Sequence, residues 1–136
     1  MVMIGVVFAA DLGSFKAPNN FKDLGDGVYV LYKADNKNTD EVLSVVEYNE
    51  HDWKDYTSND TNNSYTVFKG ENNTFNYTDG SQNEKGSFEL IEVNGAKFII
   101  DFTKSGIDNA NDFTATYKNL MEFNKLNNVS AVKEIA

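Results

Sequence analysis

FELIEVNGAKFIIDF, at residues 88–102, is the most informative stretch of this chain for its fold. Two β-rich runs flank Asn94-Gly95, the strongest short-range signal for a β-hairpin, because a type I′ turn needs positive φ at both central positions. The two-residue turn also fixes the register, in which Glu92 faces Lys97. An acid opposite a lysine favours that register. The sequence therefore predicts an antiparallel hairpin over residues 86–103.

Both faces of the predicted hairpin are mostly apolar. One face has five apolar residues and the other has three: Val93, Ile91, Phe98, Ile100 and Phe102 against Phe88, Leu90 and Ile99. Residues 28–32 (VYVLY) and 42–48 (VLSVVEY) are further β-rich runs that are apolar at both alternating positions, and shorter strands are predicted at 65–69 and 75–78. Strands of this kind belong to a sheet that is covered on two sides.

Two segments can supply those covers. Residues 112–126 have apolar residues at helical spacing, which include Phe113, Tyr117, Leu120 and Met121. Residues 50–56 (EHDWKDY), capped by Asn49, predict a short helix that forms the second cover together with residues 15–24. The predicted class is α+β: an antiparallel sheet of about five to seven strands, the C-terminal helix on one face, and the short helix with the N-terminal segment on the other.

The composition excludes several classes of function. All 12 basic residues are lysine against 21 acidic residues, for a net charge of −9. Such a surface repels phosphate backbones and lacks the arginine fork that reads guanine, so we expect no nucleic-acid partner. The absence of cysteine removes thiolate nucleophiles and cysteine-bound metals. Residues 35–40, 79–84 and 108–112 are rich in oxygen side chains but lack EF-hand spacing, so we predict polar turns, no metal and no cofactor.

Residues 1–10, MVMIGVVFAA, form an uncharged apolar run. The run is shorter than the roughly 20 residues of a membrane-spanning helix, so we expect no transmembrane span. Its length and its small final residues fit the apolar region of a secretory signal cleaved after Ala9, although the usual basic residues are missing, and an N-terminal β-strand is the alternative. We expect residues 1–9 to be a signal-peptide remnant, residues 10–136 to be one domain, and the protein to be extracellular or on the cell surface.

Sequons for N-glycosylation agree with export. Five Asn-x-Ser/Thr sites begin at Asn59, Asn62, Asn72, Asn76 and Asn128. The chain is rich in asparagine, which produces part of this number by chance. The five sites are therefore glycosylation candidates.

The order of the predicted elements, opening with Phe15-x-Ala17-Pro18 and Phe21, resembles the α/β/α sandwich of the PsbP-like family, named for an extrinsic photosystem subunit. This resemblance covers most of the chain in pattern and implies a non-enzymatic accessory or binding role. FKDLGDGVYV, NEKGSFELI and EFNKLNNV, at residues 21–30, 83–91 and 122–129, resemble small exported proteins of methane-producing archaea. That second resemblance carries over no functional residue.

Aromatic residues beside the polar loop 57–64 form the candidate ligand site. Exposed aromatic rings can stack on sugars, so Trp53, Tyr56 and Tyr65 predict a glycan or a cell-envelope component as partner. The single histidine, His51, belongs to the same segment, where an exposed position is the alternative to acid–base chemistry. Core packing is the alternative for the aromatic residues, because Trp53 and Tyr56 are three apart on a helix.

The chemistry available favours a non-catalytic exported or cell-surface binding or accessory domain. The chain contains neither Gly-x-Ser-x-Gly nor His-Glu-x-x-His, and no nucleophile is marked. The alternative is a small carboxylate-dependent glycan hydrolase, with acids drawn from Glu47, Glu50, Glu89, Glu92 and Asp101. Glu89 and Asp101 stand out because they lie inside predicted strands. A pocket that holds either of them with a second acid about 5–10 Å away would favour the enzyme.

Overall fold

The computed structural model describes residues 14–58, 64–107 and 114–132, which form an antiparallel sheet with two helices. This confirms the α+β prediction. The strands are β1 (Lys22–Gly25), β2 (Val28–Tyr32), β3 (Thr39–Glu47), β4 (Tyr65–Lys69), β5 (Thr74–Asp79), β6 (Glu84–Val93), β7 (Ala96–Ser105) and β8 (Ser130–Ala131). The helices are α1 (Glu50–Tyr56) and α2 (Thr114–Leu126). Within these residues, the sheet order is β1-β2-β3-β7-β6-β5-β4, and β8 pairs with β6.

The predicted hairpin lies at the centre of the sheet as β6 and β7. Asn94 and Gly95 have φ angles of 51° and 83°, as a type I′ turn requires. Glu92 is paired with Lys97, so the predicted register is confirmed. The pairing continues beyond residues 86–103 to Glu84 and Ser105. Side chains of this hairpin therefore reach both faces of the sheet over ten residues of each strand.

The α2 face of the sheet holds the larger core. Its buried residues come from β2, β3, β6, β7 and α2: Tyr29, Leu43, Val45, Ile91, Ala96, Phe98, Ile100, Phe102, Leu120 and Phe123. Within the helix, Leu120 and Phe123 are almost wholly buried, whereas Met121 is 61% exposed. This confirms that the C-terminal helix packs on one face. The first predicted residues of that helix, including Phe113, lie outside the described residues.

The N-terminal segment corrects one detail of the prediction, because it covers the α2 face rather than the face of the short helix. The ring of Phe15 lies 5.2 Å from that of Phe98 and 5.7 Å from that of Phe123. The side chain of Asn127 ties the segment down, since its Oδ1 accepts from the Lys16 N–H at 2.7 Å and its Nδ2 donates to the Lys16 carbonyl at 2.9 Å. Phe15 fills the space between the end of α2 and the turn end of the hairpin.

Helix α1 covers the opposite face at β4, β5 and β6. Its N-cap is Asn49, whose Oδ1 accepts from the Asp52 N–H at 3.0 Å, as the sequence predicts. Trp53 contacts Phe75 edge to face, and Tyr56 stacks on Phe88. Among the described residues, no helix has the length and apolar character needed to cross a membrane. The run 1–10 and loop residues 59–63 lie outside the described residues.

Candidate functional site

The three aromatic residues of the predicted ligand site belong to one cluster against the sheet. The rings of Trp53, Tyr56 and Tyr65 contact Phe75, Phe88 and Tyr77, respectively. His51 is separate from this cluster: its side chain is 82% exposed and its Nε2 lies 3.4 Å from a carboxylate oxygen of Asp55. The structure thus brings the three rings together through packing on the sheet. A ligand role for these four residues stays a prediction.

A pocket lies on the other face, where α2 crosses β5 and β6. Its volume is about 520 Å³. Ten described residues line it: Gly70, Glu71, Asn72, Thr74, Asn76, Glu89, Tyr117, Leu120, Met121 and Asn124. Alternation along β5 and β6 directs Thr74, Asn76 and Glu89 to the α2 face. The four lining residues of α2 have the spacing i, i+3, i+4 and i+7, which places them on one side of the helix.

Glu89 is the half-buried acid of this pocket. Its Oε1 accepts from Asn124 Nδ2 at 2.9 Å, and its Oε2 accepts from Thr74 Oγ1 at 3.4 Å. Burial raises the pKa of Glu89, and the two hydrogen bonds oppose that effect. Burial and the charges of Glu89 and Glu71 raise the pKa of Tyr117 to about 12. Both acids line this pocket.

Several buried oxygens at this site lack hydrogen-bond partners. Among the described residues, these atoms are Oδ1 of Asn76, Oδ1 of Asn124 and Oγ of Ser87. Ser87 is wholly buried and pairs with Asn76 across β5 and β6, so it lies beside the pocket on the same face. A buried polar atom without a partner costs about 1–3 kcal/mol. This part of the α2 face therefore carries an uncompensated hydrogen-bonding cost beside the pocket.

Asp101, the other candidate acid, lies on the α1 face. Its Oδ1 accepts from the hydroxyls of Tyr77 at 2.9 Å and Thr103 at 3.3 Å. Burial raises the pKa of Asp101, and these bonds oppose the shift. Burial first, and then the Asp101 charge, raises the pKa of Tyr77. Since Glu89 and Asp101 lie on opposite faces, they form no catalytic pair.

Two of the oxygen-rich loops are hydrogen-bonded turns. Asp35 Oδ1 accepts from the backbone N–H groups of Lys37 and Asn38, which lower the pKa of Asp35. Asp79 Oδ1 accepts from the backbone N–H groups of Ser81 and Gln82. The third loop, residues 108–112, lies outside the described residues. Within the described part of the chain, no group of three or more histidine, aspartate or glutamate residues is placed to hold a metal ion.

The glycosylation candidates have different surroundings. Asn72 and Asn128 are exposed, and each has a φ of 51°. Asn76 is half-buried and lines the pocket, so a glycan at this residue would have to occupy the pocket. Asn59 and Asn62 lie outside the described residues.

Sequence reasoning identified Glu89 as a candidate acid and missed most of its partners. Asn124 carried a signal, because it is a polar residue that continues the stripe of Tyr117 and Leu120 on the helix. Glu71 lies in a turn and carried none. No family model matches this chain, nor does any curated protein or solved structure. A functional proposal for this chain therefore rests on the geometry of the pocket.

Proposed function

We propose that this protein is a non-catalytic binding domain that holds a small hydrogen-bonding ligand in the pocket between β5, β6 and α2. One observation carries the proposal: Asn76 and Asn124, which each have a buried amide oxygen without a partner among the described residues, line the same pocket as Glu89. The volume of about 520 Å³ is within the usual range of small-molecule sites.

The position of the pocket in the sheet supports a binding role. Glu89 lies in β6, which is hydrogen-bonded to β5 on one side and to β7 on the other. Asn124 lies one residue after Phe123, which is wholly buried. Polar groups on such well-packed elements are held in place before a ligand arrives, which lowers the entropic cost of binding.

Glycan hydrolysis is the second candidate function, and the presence of Glu71 in the same pocket favours it. Glu89, whose pKa is raised by burial, would be the general acid, and Glu71 would be the base or nucleophile. Assays with chromogenic glycosides test this candidate. Turnover that is lost in both Glu89→Gln and Glu71→Gln would replace the binding role with an enzymatic one.

We also propose that the protein acts outside the cell or on its surface. The apolar run at residues 1–10 and the sequons support export. Exposed side chains at Asn72 and Asn128 leave two of those sequons accessible to a transferase. N-terminal sequencing and glycan analysis of the protein from its native host test this part. A mature chain that starts at Met1 would contradict cleavage.

A binding screen monitored by NMR tests the pocket. We expect ligands from a panel of sugars and small metabolites to shift the side-chain amide signals of Asn76 and Asn124. The fluorescence of Trp53, on the opposite face, should stay constant. A ligand that changes Trp53 fluorescence and leaves both asparagine signals in place would move the site to the aromatic cluster around α1.

A further inference from the structure

We propose that Asn72 carries an N-linked glycan that covers the mouth of the pocket and controls which molecules enter it. This inference rests on the proposed function, because it concerns access to the same pocket. Three features carry it: the way in which the fold separates the sequons, the turn that holds Asn72, and the position of that turn on the rim of the pocket.

The fold separates the sequons that begin at described residues. Asn76 lies in β5 between Phe68 of β4 and Ser87 of β6. Its amide oxygen is buried, so a glycan on the same amide group would displace packed side chains or fill the pocket. Asn72 and Asn128 are exposed, and both lie outside the strands. The folded protein therefore tolerates a glycan at Asn72 or Asn128 and not at Asn76.

A hydrogen-bonded turn holds Asn72 between β4 and β5. The Gly70 N–H donates to the Thr74 carbonyl at 2.8 Å, and the Thr74 N–H donates to the Glu71 carbonyl at 3.0 Å. The Asn72 carbonyl accepts from Lys69 Nζ at 2.8 Å, whereas no hydrogen bond among the described residues uses the Asn72 side-chain amide. The backbone of the turn is thus fixed, and the nitrogen that would carry the glycan stays available.

This turn forms one rim of the pocket, and α2 forms another. Asn72 lines the pocket together with Tyr117 and Met121 of α2. A methyl group on Gly70 would lie 3.2 Å from Asn76 Nδ2, so the turn packs directly against the floor of the pocket. Met121 is 61% exposed, which leaves the mouth open on the α2 side. A disaccharide is longer than a pocket of about 520 Å³ is wide, so a glycan rooted on this rim would cover the mouth.

Glycan transfer to Asn72 requires a lipid-linked oligosaccharide as the donor. A bond forms between Asn72 Nδ2 and the first carbon of the sugar, the bond from that carbon to the lipid phosphate breaks, and Nδ2 loses one proton. The transferase also reads the hydroxyl of Thr74, the third residue of the sequon. In the folded sheet, Thr74 is paired with Glu89, and its Oγ1 donates to Glu89 Oε2 at 3.4 Å. Transfer therefore precedes the pairing of β5 with β6, and the exposed turn accommodates the glycan once the sheet has formed.

Glycopeptide mass spectrometry of the protein from its native host is the first test. We expect a glycan on Asn72 and none on Asn76. An unmodified Asn72, or a glycan on Asn76 in the folded protein, would overturn the inference. The binding screen for the proposed function uses unglycosylated protein, so a ligand found there together with an unmodified Asn72 would leave the proposed function standing and remove only this inference.

Access to the pocket is the second test, and the chain offers a matched control. Because the chain has no cysteine, Asn72→Cys and Asn128→Cys each introduce a unique thiol that can be linked to chitobiose. The two positions are matched, since both asparagines are exposed and have a φ of 51°. Asn128 lines a different pocket, of about 320 Å³, together with Leu126. The soluble radical 4-hydroxy-TEMPO then measures, by NMR relaxation, how accessible the methyl groups of Met121 and Leu126 are.

We expect the sugar at position 72 to remove most of the relaxation enhancement at the Met121 methyl and to leave that of the Leu126 methyls unchanged. The sugar at position 128 should do the reverse. Should Asn72→Cys fail to fold, Glu71→Cys attaches the same sugar to the same rim. An unchanged enhancement at Met121 would overturn the inference, because the glycan would then point away from the pocket.

A last outcome separates the inference from the proposed function. The sugar at position 72 could shield Met121 while no member of the panel of sugars and metabolites shifts the Asn76 and Asn124 signals of the unglycosylated protein. The proposed function would then fail, and the control of access would fail with it, whereas Asn72 would remain a modification site.

Discussion

Glu89 and Asp101 are carboxyl groups inside neighbouring strands of the central hairpin, Glu89 on the α2 face and Asp101 on the α1 face. Burial raises the pKa of both groups. The carboxylate of Asp101 accepts hydrogen bonds from the hydroxyls of Tyr77 and Thr103, and aromatic rings pack around this network. Glu89 lies in a pocket of about 520 Å³, near amide oxygens that have no partner among the described residues. Burial of an acid therefore does not distinguish an enclosed position from one beside a pocket.

The difference arises from the side chains that surround each acid. On the α1 face, the rings of Tyr77 and Phe88 stack at 4.8 Å and fill the space beside Asp101. On the α2 face, the neighbours of Glu89 along β5 are Thr74 and Asn76, which are too small to fill the gap beneath the helix. A structural acid is closed in by large side chains that satisfy it, whereas small polar side chains leave room for another molecule.

The largest effect that we predict concerns the packing of α2 over the pocket. Leu120→Ala should lower the free energy of unfolding by about 2–4 kcal/mol, because Leu120 is 2% exposed and its truncation leaves a cavity. Urea denaturation followed by circular dichroism measures the change. Met121→Ala is the control on the same helix, since Met121 is 61% exposed, and it should change stability by less than about 0.5 kcal/mol. Equal losses would contradict the described orientation of α2.

The α1 face is the closed face, because large rings fill the space beside Asp101. The stability of the protein should fall when one hydroxyl is removed there. Tyr77→Phe removes a donor from Asp101 and should destabilise the protein by about 1–3 kcal/mol. Tyr65→Phe is the control, because the Tyr65 ring contacts Tyr77 but donates to no atom of Asp101 among the described hydrogen bonds. Its effect should stay within about 0.5 kcal/mol. If Tyr77→Phe were neutral by the same urea measurement, the Asp101 network would not be a stabilising one.

The α2 face is the open face, because the pocket lies beside Glu89. The loss of one polar side chain there should raise the stability of the protein. Asn76→Leu removes a buried amide oxygen that has no partner among the described residues, so it should stabilise the protein by about 1 kcal/mol. Asn73→Leu makes the same chemical change but breaks the bond from Asn73 Nδ2 to the Val132 carbonyl, which is 2.7 Å long. It should destabilise the protein by about 1 kcal/mol. Thermal denaturation of both variants measures the two changes. A loss of stability in Asn76→Leu would contradict the prediction, because it would mean that the amide group of Asn76 stabilises the folded state.

The parts of the fold that local chemistry determines could be predicted from the sequence. Asn94-Gly95 sets the turn and the register of the central hairpin by itself, and Asn49 caps α1 through a bond within its own first turn. The face that the N-terminal segment covers could not be predicted in the same way. Its position depends on the space that remains between α2 and Phe98, which exists only after the helix has packed.

The pocket was predictable only at its centre. Glu89 stands out in the sequence because it interrupts an apolar strand, and Asn124 because it lies on the inward stripe of α2. Glu71 and Asn76 come from a turn and from an alternating strand, where polar residues are ordinary. Their approach to Glu89 depends on the β5–β6 register and on how α2 crosses the sheet, and neither is encoded by a local motif.

The smallest effect that we predict is a dependence of stability on pH to which both faces contribute. The folded-state pKa values of Glu89 and Asp101 lie above their unfolded values, so the folded protein binds more protons between those values. The free energy of unfolding should therefore rise as the pH falls from neutral to about 5, and this contribution should level off below the unfolded pKa of about 4.

Variants separate this effect from the general relief of negative charge at lower pH. Asp101→Asn and Glu89→Gln should each reduce the gain in stability between the two pH values, measured by urea denaturation, because each removes one group with a raised pKa. Glu92→Gln changes the net charge equally and should keep the full gain. If all three variants reduced the gain by the same amount, net charge alone would explain it. A larger reduction in Asp101→Asn and Glu89→Gln would show that the folded state favours the protonated form of both acids, on the closed face and in the pocket alike.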